Sequence, residues 1–226
     1  MKSTPTALKV LDALSALLLV AALGMVFGYA PTERTMGLVQ KVFYFHVSAN
    51  WVGMLGFLVA AVAGGLYLAK GSPKWDVVEV AAVEIGLAFS LIGIVSGSIW
   101  ARPIWNTWWT WDPRLVTVTV MELIYIAYFM LRSGIEDPDR RARYAAVYAI
   151  VGFLSVPLTF LSIRMYRSIH PVVITSTKAE LSPHMFQTFM FSLFTFTVVF
   201  ATLLWHRVRL GELTAQVERL RLKLTD

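Results

Sequence analysis

Six apolar runs, each near the ~20 residues that a bilayer's hydrocarbon core requires, dominate this 226-residue chain. They fall at about 10–30, 51–69, 78–99, 115–131, 144–163 and 184–205. The bilayer interior offers no water to backbone N–H and C=O groups, and a helix satisfies all of them within one segment. The sequence therefore predicts an all-α integral membrane protein with six transmembrane helices. Charged residues make up 15% of the chain, well below the roughly 25% of soluble domains, in keeping with that class. Gly28-Tyr29-Ala30 loosely resembles a signal-peptidase site, but the run before it is longer than a signal core and reads as an uncleaved anchor. Two parts are expected: a six-span membrane domain over 1–205 and a charged tail over 206–226.

Orientation follows from where the cations lie. Thirteen of the twenty lysines and arginines fall in the N-terminus, the 70–74 turn, the 132–143 loop and the tail; seven fall in the other three loops. The positive-inside rule puts the richer set, and with it both termini, in the cytoplasm. The three remaining loops then share the outer side. In the tail, Leu210, Leu213, Val217, Leu220 and Leu224 are spaced 3, 4, 3 and 4 apart, which predicts a cytoplasmic amphipathic helix. Such a helix could dock on a partner or lie on the anionic inner leaflet through Arg219, Arg221 and Lys223. No basic patch dominates a soluble surface, which excludes nucleic acid as a partner class. The absence of cysteine excludes disulfides, thiolate metal sites, iron–sulfur clusters and covalent haem attachment.

The densest chemistry lies in residues 100–116, which hold five of the eight tryptophans: Trp100, Trp105, Trp108, Trp109 and Trp111. Arg102, Arg114, Asp112, Pro103 and Pro113 lie among them. Proline disfavours a helix interior, so the stretch is expected to be one outer loop. Indole is apolar with one N–H donor at its edge, which suits a surface that is oily but not dry. An interfacial belt also uses tryptophan, but a belt spreads it over many helix ends. The concentration here favours a ligand platform.

Two histidines, His46 and His170, are expected in the outer loops on either side of that platform; His184 and His206 read as boundary residues. Imidazole is the usual axial ligand of haem iron. A flat macrocycle needs a stacking surface, axial nitrogens and cations for its propionates. The tryptophans could supply the first, His46 and His170 the second, and Arg102, Arg114, Arg164 and Arg167 the third. Taken singly, each arginine reads equally as an interfacial snorkelling side chain. Asp112 could orient a ligand, pair with Arg114 or cap the following helix. Glu84 and Glu122 lie within spans, where an ionisable group is costly and suggests function. No phosphate-binding glycine loop, H-E-x-x-H signature or nucleophile elbow is present.

The run Trp105-Asn-Thr-Trp-Trp-Thr-Trp-Asp112-Pro-Arg-Leu115 resembles the tryptophan-rich WWD motif of haem-handling proteins in cytochrome c maturation. The short six-span form, with one histidine on either side of the motif, resembles the haem exporter protein C family, CcmC, over essentially the whole chain. That resemblance implies a non-enzymatic protein of the bacterial inner membrane with its site on the periplasmic side. It implies non-covalent, transient binding of haem b, with His46 in Tyr44-Phe-His-Val47 and His170 in Ser168-Ile-His-Pro171 as axial ligands. It implies presentation of haem to the chaperone CcmE, alongside the ABC transporter subunits CcmA and CcmB and the small subunit CcmD. Ala101, Asn106 and Pro113 depart from the small residues common at those motif positions. Three other classes differ in what they require of the sequence. A haem lyase would need more spans and histidines, a solute carrier would use Glu84 and Glu122, and a structural subunit would bind no haem.

Overall fold

The computed structural model describes residues 3–168, 170 and 181–225. Pro171 of the His170 motif and residues 171–180 of the third expected outer loop lie outside them, as do the side chains of Arg219 and Lys223. Among the described residues, seven α-helices form six long apolar segments: α1 (Thr6–Gly24), α2 (Val42–Lys70), α3 (Pro73–Trp105), α4 (Pro113–Ser133), α5 (Pro138–Phe153), α6 (Ser155–Met165) and α7 (Pro183–Thr225). This is an all-helical protein whose six apolar segments have the length and composition of membrane spans. Leu17 and Val20 are each 69% exposed, as lipid-facing residues would be.

The spans depart from simple helices where the sequence gives a reason. One wider turn, Met25–Tyr29, extends α1 and closes with Ala30 N–H donating to Met25 O at 2.8 Å. The fifth span breaks into α5 and α6 because Pro157 has no N–H for the carbonyl four residues earlier and its ring crowds that turn. Leu154 N–H turns back to Val151 O at 3.1 Å, and Ser155 Oγ donates to Gly152 O at 2.7 Å. The tail is helical as expected, but it is an uninterrupted continuation of the sixth span within α7 and not a separate element.

Helices α2 and α3 form the centre. A Cβ on Gly56 would meet Gly86 Cα at 2.7 Å, so the two backbones approach as closely as only glycine permits. Beside that seam Phe57 stacks on Tyr125 of α4, with ring centroids 3.6 Å apart and planes within 5°. Met54, Met121 and Tyr128 complete this core. Helix α5 packs on α2 and α4, α6 on α4 and α5, and α1 on α7, where Ser15 and Thr202 hydroxyls bond at 2.9 Å.

Three ties gather the cation-rich segments at one end of the bundle. Arg132 donates to both oxygens of Asp76, at 2.6 and 3.1 Å; Arg209 donates to Ser3 O at 3.3 Å; and Arg207 grips both oxygens of Glu84. Glu84 is thus an inter-helix anchor, not the lining of a path. His206 bonds Asp12 at 2.7 Å, also at this end.

Near it, Tyr128 OH donates to the fully buried Glu79 at 2.9 Å. Tyr128→Phe leaves that carboxyl oxygen without its donor. Loss of such a partner costs about 1–3 kcal/mol, to be read as a lower melting temperature of the detergent-solubilised protein.

Candidate functional site

At the opposite end, α2, α3, α4, α6, α7 and the 106–112 connection enclose a cavity of about 650 Å³. That volume lies within the range of small-molecule sites. Its lining includes His46, Trp100, Trp105, Trp108, Trp109, Arg114, Arg164 and His170. Segments 124 residues apart in sequence thus meet at one place.

His46 is not in a loop. It lies in the first turns of α2, because Phe43 and Tyr44, both buried, pack against Trp100 and Phe189 and draw the aromatic run into the helix. Its Nδ1 is 2.9 Å from Gly93 O. A carbonyl can only accept, so Nδ1 carries a proton and, in the neutral ring, Nε2 keeps the lone pair. This arrangement, one ring nitrogen held by a backbone carbonyl and the other left as a base, is the usual way of setting up a metal-binding imidazole. Asn50 Nδ2 donates to His46 O at 2.8 Å, and a Cβ on Gly97 would meet His46 Cε1 at 2.8 Å. Gly97 therefore makes the space the ring occupies.

Two indole rings connect the two histidines. Centroid separations are 5.8 Å from His46 to Trp100, 6.2 Å from Trp100 to Trp105 and 6.2 Å from Trp105 to His170. Trp100 and Trp105 belong to α3, which continues through Pro103 to Trp105; the expected loop shrinks to 106–112. Pro103 has no N–H for Ile99 O, yet the helix carries on for two further residues. Asn106, at φ 55°, then ends the helix in a left-handed conformation, and Arg102 secures that end by donating to Asn106 O at 2.8 Å and to Asn106 Oδ1. Arg102 lies outside the cavity with its guanidinium over Trp108 at 6.0 Å.

Asp112 caps α4, accepting Arg114 N–H at 2.8 Å, as the Asp-Pro-Arg sequence suggests. Its Oδ1 also stands 3.8 Å from His170 Nδ1, which is buried and has no hydrogen-bond partner among the described residues. Burial first, then the positive charge of Arg114, holds the His170 imidazole below its ordinary pKa, with Asp112 opposing both. Arg114 reaches across to α6, donating to Thr159 O at 2.8 Å and lying over Phe160 at 5.1 Å.

The tryptophans divide by exposure. Trp100 is 5% exposed, and its Nε1 has no hydrogen-bond partner among the described residues. Trp108 and Trp111 are 58% and 75% exposed, forming an open rim, with Trp111 edge-on to Trp109 at 5.9 Å. Arg167, Glu84, Glu122 and His184 do not line the cavity; His184 packs edge-on against Tyr29 at 4.8 Å. Sequence reading missed Asn50, Gly93 and Gly97. Their signal was helical spacing, Asn50 one turn from His46 and Gly93 one turn from Gly97, and it was hidden by placing His46 in a loop.

An apolar cavity, an imidazole held at Nδ1 by a backbone carbonyl, and a His170 Nδ1 and a Trp100 Nε1 without hydrogen-bond partners among the described residues fit a flat macrocycle with polar edges. Comparison with known proteins points the same way. Residues 1–223 match the family model described as "Heme exporter protein C", CcmC. Among curated proteins, the chain is 35% identical over 141 residues to a heme exporter protein C of Bradyrhizobium diazoefficiens, covering 62% of this chain and 54% of that protein. It is 29% identical over 183 residues to the Escherichia coli K12 protein of the same name (81% and 74%) and 30% over 191 residues to that of Rhodobacter capsulatus (82% and 79%). The chain thus spans just over half the length of the first of these relatives and about three quarters of the others. It belongs to the heme exporter protein C family of cytochrome c biogenesis and is a multi-pass membrane protein.

Proposed function

We propose that this protein binds haem b non-covalently in the aromatic cavity, at the periplasmic face of a bacterial inner membrane, and presents it to the chaperone CcmE. The observation that carries the reading is the ladder His46–Trp100–Trp105–His170 along one cavity wall, with His46 Nε2 left as a free base. Bound there, haem would supply an iron that imidazole nitrogens can hold. His46 and His170 are the ligands, and Asp112, at 3.8 Å from His170 Nδ1, favours the tautomer that frees Nε2. Trp100, Trp105 and Trp109 cover the ring faces. Trp108 and Trp111 form the rim against which the chaperone seats, where their exposure leaves room for a second protein. Arg114 and Arg164 meet the propionates, whereas Arg102 shapes the rim by holding Asn106. The protein works as a delivery subunit rather than an enzyme, beside CcmA, CcmB and CcmD.

Both termini face the cytoplasm in this reading. The convergence of the cation-rich segments at the end remote from the cavity supports it. Transfer tests delivery: haem-loaded protein is mixed with apo-CcmE and the chaperone's haem content is followed. Wild type is expected to load the chaperone. A Trp108→Ala/Trp111→Ala variant should keep its haem and load at least ~10-fold less, as loss of aromatic hot spots does. Equal loading by the variant would remove the rim from the account.

Only neutral imidazole ligates iron. Because the His170 pKa is held down, protonation and release should come only as pH falls below the ordinary imidazole value of about 6.5. A spectroscopic pH titration of the haem-bound protein is expected to keep its two-histidine spectrum through pH 6.5. Loss of that spectrum at or above this pH would contradict the placement of His170.

A further inference from the structure

The end of α7 presents a surface that the haem site does not use. Arg207 and His206 pin the helix to Glu84 and Asp12, and Gly211 packs so closely on α3 that a Cβ there would meet Val77 Cγ1 at 2.7 Å. Val77 lies in the second turn of α3, so the bundle ends close by. Helix α7 nevertheless runs on to Thr225. Those last fourteen residues rise about 21 Å along the axis of the sixth span.

One face of this extension is apolar and unpartnered among the described residues. Leu210, Val217, Leu220 and Leu224 are 56%, 65%, 61% and 88% exposed, and with Leu213 they hold the a and d positions of a heptad seam. The flanking e and g positions are Arg209, Thr214, Gln216, Arg221 and, by sequence register, Lys223. The acids Glu212 and Glu218 fall at c and b, away from the seam.

We infer that this seam is the docking site for a partner helix with an apolar a/d face and acidic flanks. Three occupants compete, and the geometry separates them. A membrane surface would need the tail to bend flat, but α7 is one helix without proline or interruption from the span to Thr225. A second copy would bring only basic and neutral flanks together, so no attractive e–g pair could form in either strand direction. An acidic-flanked helix meets both the apolar stripe and the charges beside it. The seam lies at the end opposite the cavity, on the side of the N-terminus, so such a partner is distinct from any protein that receives a ligand from the cavity.

The chain has no cysteine, so Thr214→Cys in the full-length protein takes a single environment-sensitive fluorophore beside the seam. In nanodiscs containing anionic lipid, a three-heptad peptide with leucine at a and d and glutamate at e and g should bind saturably and shift the label's emission. The same peptide with lysine at e and g should bind at least ~10-fold more weakly. Arg221→Glu/Lys223→Glu should reverse that preference, a gain of binding that misfolding cannot imitate. Quenching of the label by spin-labelled lipid before peptide is added would assign the seam to the membrane and overturn the proposal. Label-to-label energy transfer between copies would assign it to a second copy, with the same consequence. Failure of both peptides to bind, or equal binding of the two, would overturn it as well.

Discussion

His46→Ala is expected to weaken haem binding by ~100-fold or more, since even loss of an outer hydrogen-bond partner of a metal ligand costs 10–100-fold. Gly97→Val should reproduce much of that loss without touching the imidazole's chemistry. A Cβ at position 97 meets His46 Cε1 at 2.8 Å, so the ring must leave the orientation that Gly93 O sets. The pair of variants distinguishes a ligand from a packing residue. If His46 only fills space, Gly97→Val lowers stability and leaves haem affinity unchanged. If His46 ligates, both variants bleach or shift the Soret band. His170→Ala should have its own signature, because Asp112 stands 3.8 Å from that ring, whereas His46 is held by Gly93 O.

Gly56→Leu is expected to have the largest effect on folding. Its Cβ would lie 2.7 Å from Gly86 Cα and 2.8 Å from Ala82 O, and backbone atoms cannot move aside as a side chain can. Separating α2 from α3 would also open the Phe57–Tyr125 stack beside them. Overpacked cores lose about 1–3 kcal/mol and occasionally more, and a backbone-to-backbone clash belongs at or above the upper end. Gly65→Leu, on the same helix, is the control, since a Cβ there meets nothing within 4 Å. Thermal unfolding in detergent should show a large drop for the first variant and a small change for the second. Similar losses in both would mean that helix propensity, not the α2–α3 contact, sets the cost.

Much of this architecture was legible because the bilayer imposes a simple rule: long apolar runs must be helices. The span count followed from that rule, as did the loops that share an end. Helix boundaries were less legible. Pro103 suggested a break, yet α3 runs on through it to Trp105. His46, Ser48 and Asn50 looked too polar for a span, but buried neighbours on α2 carry them into the helix, and His46 and Asn50 line its cavity face. The tryptophan motif pointed to the cavity through residue type alone. Division of labour within it needed three dimensions: Trp100 is buried, Trp111 is on the rim, and Arg102 serves the backbone. The tail's heptad was visible in the sequence, whereas its continuity with the sixth span was not, because no local signal at 205 either ends or extends a helix.

The central claim is that His46 and His170 hold haem in the cavity. It is tested most directly by titrating haem into the purified wild-type protein and into a His46→Ala/His170→Ala variant, following the Soret band. Wild type is expected to bind haem saturably with a two-histidine spectrum, and the double variant to show no such spectrum at the same haem concentration. An identical spectrum in both proteins, or no haem uptake by wild type, would contradict it.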